Sequence, residues 1–385
     1  MQYKKIEELT EVVTGGTPST SHVEYWENGT IPWLQSGCCQ NCDVTNTGKY
    51  ITQSGYDNSS TKMMPSDTVM IALTGATAGK VGFLRFEACG NQSITGILPS
   101  PNLNQRYVFY YLISKREKIL ADCIGGAQPH ISQGYVKNLL IPVPTLDEQK
   151  KIARRLDLIS TLIAVRKNEL QRLDELIKAR FVEMFGDPIQ NPKRWKTKPL
   201  LSIGNCKNGM NFRYNESGVT LNCLGVGDFK ENSIISDTSL LPEITLNEMP
   251  SEEYLLRDDD VVFVRSNGNK ALVGRSVAVY PGRIPTTFSG FCIRFRKEEE
   301  MVTVPYLLRV LKSESVRLKM AGRGANIQNL NQQILGTLDV PIPPLDMQND
   351  FSGFVKQVDK SKVAIQSSLE ETQILFDSLM QKYFR

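Results

Sequence analysis

Two stretches of the chain carry apolar residues at the spacing of a long helix with a single hydrophobic seam. The first covers residues 146–185, and its seam consists of Ile152, Leu156, Ile159, Ile163, Leu170, Leu173, Ile177 and Met184. Only Arg166 and Arg180 interrupt the heptad pattern. Pro144 disfavours helix before this stretch, and Gly186-Asp187-Pro188 ends it. The pattern predicts a helix of about 40 residues, roughly 60 Å long, which would serve as a spacer.

The second stretch repeats the first, 199 residues later. The segment Ile141-Pro142-Val143-Pro144, with Leu146 and Gln149 after it, returns as Val340-Pro341-Ile342-Pro343, with Leu345 and Gln348 after it. The second set of seam positions is Phe351, Val355, Val358, Lys362, Ile365, Leu369, Thr372, Phe376, Leu379 and Tyr383. Two unrelated amphipathic helices are the alternative, but they would not keep one register over all these positions.

Each apolar seam must be covered, and the simplest partner for one helix is the other. Because both helices leave their globules in the same way, we predict two long antiparallel coiled-coil helices that join two similar globular domains about a pseudo-two-fold axis. The predicted boundaries are residues 1–144 for the first globule, 145–186 for the central helix, 187–344 for the second globule and 345–385 for the C-terminal helix.

The two globules show the same order of short strands, turns and few helices. Residues 31–35 and 67–73 have the composition of strands, and residues 107–119 have helical spacing. In the second half, Asp260–Val264 aligns with Asp67–Ile71, and residues 266–270 replace residues 73–77 in the turn that follows. This mixture predicts an α+β fold for each globule.

Composition and charge place the chain among ordinary globular proteins. Of its 385 residues, 41% are hydrophobic and 22% are charged, and the net charge of +4 is only mildly basic. No apolar run reaches about 18 residues, so we expect no membrane-spanning helix. The first residues lack the apolar stretch of a signal peptide, and we expect the protein in the cytoplasm.

Two motifs resemble sites of known chemistry without meeting their requirements. Residues 75–80, Gly-Ala-Thr-Ala-Gly-Lys, have one residue too few between the glycines for a phosphate-binding loop, and Val81 stands where Ser or Thr is required. Cys38, Cys39 and Cys42 lack a fourth zinc ligand at a suitable spacing. No catalytic motif is present, so a nucleotide-dependent enzyme is disfavoured. We predict a non-catalytic chain without metal or cofactor.

Loops at equivalent places in the two globules differ in their polar side chains. Arginine suits guanine, and asparagine or glutamine suits adenine, although such residues also simply solvate loops. Two diverged loop sets on similar globules fit two different DNA half-sites. The candidate DNA contacts are Thr17, Gln35, Thr74, Thr77, Lys80, Gln128, His130 and Ser132 in the first half, and Lys207, Asn211, Arg265, Asn267, Asn269, Lys270, Arg323, Asn326, Gln328 and Asn329 in the second.

The layout resembles the specificity subunit of type I restriction-modification systems. The resemblance rests on the duplicated order of weakly specific motifs: Thr14-Gly15-Gly16-Thr17-Pro18, Thr74-Gly75-Ala76-Thr77, Gly125-x-x-x-x-His130-Ile131 and the first Pro-x-Pro segment with Gln149, then Ile327-x-x-Leu330 and Pro341-Ile342-Pro343-Pro344-Leu345-x-x-Gln348. The second copy departs at Met347, where the first has Glu148, and at Asn211-Phe212, where the first has a Thr-Pro pair.

The resemblance implies a role in reading double-stranded DNA. Each globule would read one half of a bipartite site in the major groove, and the helices would set the spacer and bind two methyltransferase subunits. Those subunits would use S-adenosylmethionine to methylate adenine, and restriction or motor subunits would join through the complex. A coiled-coil scaffold that does not bind DNA is the alternative, and a salt-titrated DNA-binding assay separates the two.

Overall fold

The computed structural model describes residues 2–122, 130–212, 217–229, 233–321 and 329–384. The chain divides into two compact units: unit 1 comprises residues 1–168 and 366–385, and unit 2 comprises residues 169–365. Each unit therefore consists of one globule and a segment from each of two long helices.

The globule of unit 1 is built from short strands and short helices around two mixed sheets. The strands of its described part are β1 (Tyr3–Lys5), β2 (Val12–Thr14), β3 (Ile31–Leu34), β4 (Cys42–Val44), β5 (Tyr50–Ile51), β6 (Met63–Met64), β7 (Val69–Ala72), β8 (Val81–Leu84), β9 (Ala88–Gly90), β10 (Ile94–Ile97) and β11 (Leu140–Pro142). The helices are α1 (Gln53–Asp57), α2 (Gln105–Ser114), α3 (Arg116–Ala121) and α4 (Gln133–Asn138). One sheet has the order β2-β10-β7-β8-β4, the other β5-β3-β9-β6, and β1 pairs with β11.

The globule of unit 2, which follows the long helix α5 (Leu146–Phe185), repeats this plan. Its strands are β12 (Thr197–Pro199), β13 (Gly204–Asn208), β14 (Val219–Leu224), β15 (Ile234–Ile235), β16 (Glu243–Leu246), β17 (Asp260–Val264), β18 (Ser276–Val279), β19 (Thr286–Phe288), β20 (Cys292–Lys297) and β21 (Asp339–Pro341). Its helices are α6 (Val304–Lys312), α7 (Glu314–Ala321) and α8 (Gln332–Gly336), and the chain continues into the long helix α9 (Leu345–Phe384). The sheets have the orders β13-β20-β17-β18-β15 and β16-β14-β19, and β12 pairs with β21.

Equivalent hydrogen bonds show how closely the second unit repeats the first. The Tyr107 hydroxyl donates to the Pro142 carbonyl at 2.9 Å, and the Tyr306 hydroxyl donates to the Pro341 carbonyl at 2.9 Å. Both tyrosines are buried, so each bond fixes a helix of the globule to the Pro-x-Pro segment. The prediction of an α+β fold with two similar globules and two long helices is confirmed.

The turn before the central strand corrects the sequence alignment by one residue. Asp67 and Asp259 both have a left-handed backbone, with φ of 67° and 70°. Asp259, and not Asp260, is therefore the counterpart of Asp67. In a run of three aspartates the sequence does not mark which one adopts the left-handed conformation, which aspartate tolerates better than most residues. The aligned central strands, β7 and β17, are buried on both faces.

The starts of the long helices are tied to the globules by two buried glutamines. Gln149 is 1% exposed, accepts from the Asn104 amide at 2.9 Å and donates to the Pro144 carbonyl at 3.0 Å. Gln348 is 0% exposed and makes the equivalent bonds to the Thr303 amide and the Pro343 carbonyl. Because the helix and the globule share these bonds, neither can shift without leaving buried polar groups unpaired.

In unit 1 the first part of α5 packs against the last part of α9. Leu156 belongs to one core cluster with Met380 and Phe384, while Arg166, farther along α5, donates to the carbonyl of Ser368, farther back on α9. The two segments therefore run antiparallel. The Arg166 guanidinium also bonds the Thr372 hydroxyl, so the two polar seam positions satisfy each other.

In unit 2 the last part of α5 packs against the first part of α9, again antiparallel. Phe181 and Phe185 contact Phe351 with ring centroids 5.6 Å apart, and Lys362 pairs with Asp174 at 2.8 Å. Arg180, placed in the seam by the heptad count, is instead exposed and paired with Glu183. The seam passes to Phe181 because a straight helix drifts about 20° per heptad against an exact 3.5-residue repeat.

The predicted interface residues all lie on the covered side of their helices. Buried or partly buried in their own units are Ile152, Leu156, Ile159, Ile163, Leu170, Leu173 and Ile177 on α5, and Phe351, Val355, Val358, Ile365, Leu369, Phe376 and Leu379 on α9. Within the ranges that the structure describes, no helix combines the length and the apolar character needed to cross a membrane.

Candidate nucleic-acid interface

Three loops of unit 1 meet where the central strand β7 ends. The Leu73 amide donates to the Ser93 carbonyl at 2.8 Å, and the Ile131 amide donates to the Leu73 carbonyl at 3.0 Å. Thr74 and His130 are bridge partners in this arrangement. We call residues 73–80, 91–93 and 130–132 the unit 1 loop cluster. It brings together two predicted contacts that are 56 positions apart in the sequence.

The same three loops meet in unit 2 through equivalent bonds. The Arg265 amide donates to the Phe291 carbonyl at 2.7 Å, and the Leu330 amide donates to the Arg265 carbonyl at 2.9 Å. We call residues 265–270, 289–291 and 329–331 the unit 2 loop cluster. Exposed Asn329 lies in it beside Arg265. Equivalent backbones thus carry different side chains in the two units.

Further predicted residues lie at the edges of the two clusters. In unit 1, the Thr17 hydroxyl donates to the Gln92 side chain at 2.5 Å, and Gln35 is exposed directly after Leu34, whose carbonyl accepts from the Asn91 amide. In unit 2, Asn211 lies so close to Gly290 that a Cβ on this glycine would come within 2.1 Å of the Asn211 amide oxygen.

The side chain of Arg265 is held only loosely within the unit 2 loop cluster. Its Nη1 lies 3.5 Å from the Gly290 carbonyl, at the limit of a hydrogen bond. The side chain is partly exposed, and the described residues offer its other donors no acceptor, so most of its five donors remain available to a ligand. A planar guanidinium in this state can make the bidentate contact that guanine offers in the major groove.

Several predicted contacts are engaged in shaping their own loops. The Asn267 oxygen accepts from the Asn269 amide at 2.7 Å, and the Asn269 oxygen accepts from the Ala271 amide at 3.1 Å. The Ser132 hydroxyl caps α4 by accepting from the Tyr135 amide, and the Thr77 hydroxyl donates to the Thr74 carbonyl. These groups position the backbone, whatever else they contact.

Three predicted lysines are placed differently. Lys80 donates to the exposed side chain of Gln40 at 2.7 Å, at the edge of the unit 1 loop cluster. Lys207 is paired with Glu253 at 2.6 Å, and this hydrogen bond raises the pKa of Lys207. Lys207 therefore has its charge matched within unit 2. Lys270 is exposed and lines a separate cavity of unit 2.

Four predicted contacts, Gln128, Arg323, Asn326 and Gln328, lie outside the described residues. In the part of the chain that is described, no three histidine, cysteine or carboxylate side chains are grouped as metal ligands.

Comparisons with known proteins decide the family. The sequence model described as "Type I restriction modification DNA specificity domain" matches residues 1–175 and 192–373. The chain belongs to this family. The two matches coincide with the two copies of the sequence repeat, so the chain carries the DNA specificity domain twice.

Relatives and solved structures of the family resemble the chain over different lengths. It is 30% identical over 167 residues to the EcoR124I/EcoR124II specificity subunit of Escherichia coli, covering 42% of this chain and 41% of that protein. It is 24% identical over 404 residues to the MjaIX specificity subunit of Methanocaldococcus jannaschii, covering 98% of this chain and 91% of that protein. The crystal structure of the S subunit of a type I restriction-modification system from M. genitalium has the same fold, with a TM-score of 0.59 and 19% identity. The match covers 100% of this chain and 96% of that one.

The third loop of each DNA specificity domain was missed from the sequence. It carries exposed Gln92 in unit 1 and exposed Phe291, which is 60% exposed, in unit 2. A large aromatic side chain in solvent beside Arg265 is suited to contact the methyl group of thymine. The sequence signal that could have indicated this exposed residue is an aromatic side chain, Phe291, directly after Ser289-Gly290 in a polar loop.

Proposed function

We propose that this chain is the DNA-binding specificity subunit of a type I restriction-modification complex and that each globule reads one half of a bipartite, asymmetric site. The observation that carries the proposal is the pair of loop clusters. Both rest on the same backbone hydrogen bonds, yet one presents Thr74, Gln92 and His130, and the other presents Arg265, Phe291 and Asn329. Equal scaffolds with unequal side chains are what two unlike half-sites require.

The side chains divide into base-reading and backbone-binding groups. Arg265 and Phe291 suit guanine and thymine edges, and His130 and Gln92 offer ring nitrogens and an amide to the first half-site. Among the described residues, Lys80 is bound to one neutral side chain, that of Gln40, so its charge is available to a phosphate. The remaining predicted contacts, including those outside the described residues, would complete these surfaces.

The long helices would set the spacer and bind two methyltransferase subunits. On α5 within unit 1, Leu158, Leu162 and Val165 are exposed by 68%, 48% and 47%, on a side that the seam does not cover. On α9, Val363 and Ile374 are exposed by 71% and 69%. Exposed apolar side chains grouped along a helix mark a protein-binding surface.

The chemistry of the complex would belong to its partners. The chain would be non-catalytic, the methyltransferase subunits would transfer a methyl group from S-adenosylmethionine to adenine, and restriction or motor subunits would associate through the complex. The assembly would work in the cytoplasm, where it meets chromosomal DNA.

The test is competition DNA binding by the chain assembled with its methyltransferase subunits. Mapping of methylated adenines first gives the site, and oligonucleotides are then changed in one half-site at a time. Arg265→Gln and Phe291→Ser should each reduce discrimination in one half-site by about 1–3 kcal/mol and leave the other half-site intact. Lys80→Gln should lower affinity for all sequences alike and reduce the salt slope by about 1.

Two outcomes would refute the proposal. If the wild-type complex shows no salt-dependent binding and no preference for any site, the chain is a coiled-coil scaffold. If Arg265→Gln and Phe291→Ser both keep full discrimination in both half-sites, the unit 2 loop cluster does not read bases and the proposal fails.

A further inference from the structure

Unit 2 contains a cavity of about 620 Å³ whose walls are rich in positive charge. The last turns of α5, the following linker, the β17–β18 loop, α6 and α7 all contribute to it. Its basic side chains are Lys178, Lys270, Arg309, Lys312 and Arg317, and its two carboxylates belong to Asp187 and Glu314. Five cations against two anions leave a formal excess of three positive charges.

The carboxylates do not neutralise the basic groups directly. Asp187 accepts from the amides of Ile189 and Gln190, both at 2.9 Å, and so serves the turn after α5. Glu314 is exposed at the start of α7, and none of the ion pairs within the described ranges joins it to a base. These two lining carboxylates therefore do not cancel the charge excess.

Two of the basic groups, Arg309 and Lys312, stand three positions apart on α6 and are partly buried. Lys312 donates to the neutral Ser233 hydroxyl at 2.8 Å, and burial, with Arg309 nearby, lowers the pKa of Lys312 to about 7. The described residues offer the Arg309 guanidinium no hydrogen-bond acceptor. Asp174 and Asp359 attract the guanidinium without a hydrogen bond, and burial outweighs them and lowers the pKa of Arg309. An anionic ligand that bonds the guanidinium would offset this cost of burial.

The two globules differ in their side chains at this place. The offset of 199 residues fixed by the tyrosine bonds makes Tyr110 the counterpart of Arg309 and Ile113 the counterpart of Lys312. In unit 1, the Tyr110 hydroxyl donates to Asp157 at 2.7 Å, and Arg106 pairs with the same carboxylate. At this place in unit 1, the Tyr110 hydroxyl and the Arg106 guanidinium thus share one carboxylate of the protein itself.

We propose that the unit 2 cavity binds a phosphate group, carried either by a nucleic-acid backbone or by a small phosphate ester. Guanidinium groups present a planar fork that matches phosphate oxygens. A phosphate group, with about one negative charge in a nucleic-acid backbone and about 1.5 to 2 in a monoester, offsets part of the excess. Exposed Val182 and Leu318 also line the cavity and offer an apolar surface to the rest of an ester. Binding of free phosphate does not depend on the proposed function.

The first experiment titrates inorganic phosphate into the full chain by calorimetry in a phosphate-free buffer. The double variant Arg309→Gln, Lys312→Gln should bind phosphate at least about ten-fold more weakly than the wild type, because two charge-assisted hydrogen bonds are lost. Lys118→Gln, at the unit 1 counterpart of Arg317, is the control for loss of a single surface charge and should bind like the wild type. If the double variant does not fold, Lys178→Gln, an exposed position, should show a smaller loss.

The second experiment identifies the source of the phosphate with duplex DNA. If it is the nucleic-acid backbone, the double variant lowers affinity for all sequences alike and reduces the salt slope by about 1–2. If it is a small ester, affinity for DNA is unchanged while affinity for inorganic phosphate falls. A folded double variant that loses affinity for neither inorganic phosphate nor DNA would overturn the proposal.

Discussion

Replacement of Gln348 by leucine should loosen the attachment of α9 to its globule. The side chain is 0% exposed, accepts from the Thr303 amide at 2.8 Å, and donates to the carbonyls of Pro343 and Met301 at 2.9 and 3.0 Å. Leucine fills a similar volume and can make none of these bonds. The Thr303 amide, which starts α6, and two carbonyls then lose their partner.

The cost follows from the number of groups left unpaired. Each buried polar group without a partner costs about 1–3 kcal/mol, and since carbonyls tolerate this better than amides, we expect about 3–5 kcal/mol for Gln348→Leu. Gln149→Leu in unit 1 breaks two such bonds and should cost about 2–4 kcal/mol. Gln171→Leu, on the exposed side of α5, is the matched control and should stay within about 0.5 kcal/mol.

Hydrogen-exchange mass spectrometry measures the effect in each unit separately. Peptides covering α6 should lose protection in Gln348→Leu, and peptides covering α2 should lose it in Gln149→Leu, while Gln171→Leu leaves both as in the wild type. If Gln348→Leu protects α6 as well as Gln171→Leu does, the glutamine does not hold the helix to the globule and our reasoning is wrong.

Two further predictions concern the helices and the buried lysine. Ile163→Asp places a charge at a seam position that is only 9% exposed. This substitution should destabilise unit 1 by several kcal/mol in thermal unfolding and abolish site-specific DNA binding. The control Ala164→Asp, on the exposed side of α5, should do neither. Unchanged protection of the same bipartite site by Ile163→Asp would exclude the spacer role. Lys312→Met should stabilise unit 2 near pH 7 in phosphate-free buffer by on the order of a few kcal/mol. Folding lowers the pKa of Lys312 to about 7, so the stability of the wild type rises between about pH 7 and the ordinary pKa of lysine. Denaturant titrations at rising pH should therefore show a shrinking stability difference between Lys312→Met and the wild type. A difference that grows with pH would contradict this reasoning.

Regular spacing and duplication made the overall fold accessible from the sequence. The two long helices follow from apolar periodicity, and the repeat follows from one offset that also relates Tyr107 to Tyr306 and Gln149 to Gln348. The prediction that Arg180 lies in the seam was wrong because a heptad count ignores the drift of a straight helix, which moves Phe181 into the seam instead.

The candidate interface was only partly accessible. Thr74 and His130, or Arg265 and Asn329, were placed in corresponding loops by the repeat, but their meeting depends on backbone bonds between distant segments. Phe291 was missed because its exposure is decided by the turn between β19 and β20, and no periodicity marks it. The basic cavity was missed because α5, α6 and α7 form it together.

The central claim is that each globule reads its own half-site, and exchanging one globule tests it most directly. Residues 1–140 are replaced by the equivalent segment of a relative with a different site, and methylated adenines are mapped across a genome for the wild-type and chimeric complexes. We expect the half-site read by unit 1 to change to that of the relative while the other half-site stays the same. A chimera that alters both half-sites together, or that keeps the original site, would contradict independent reading by two globules.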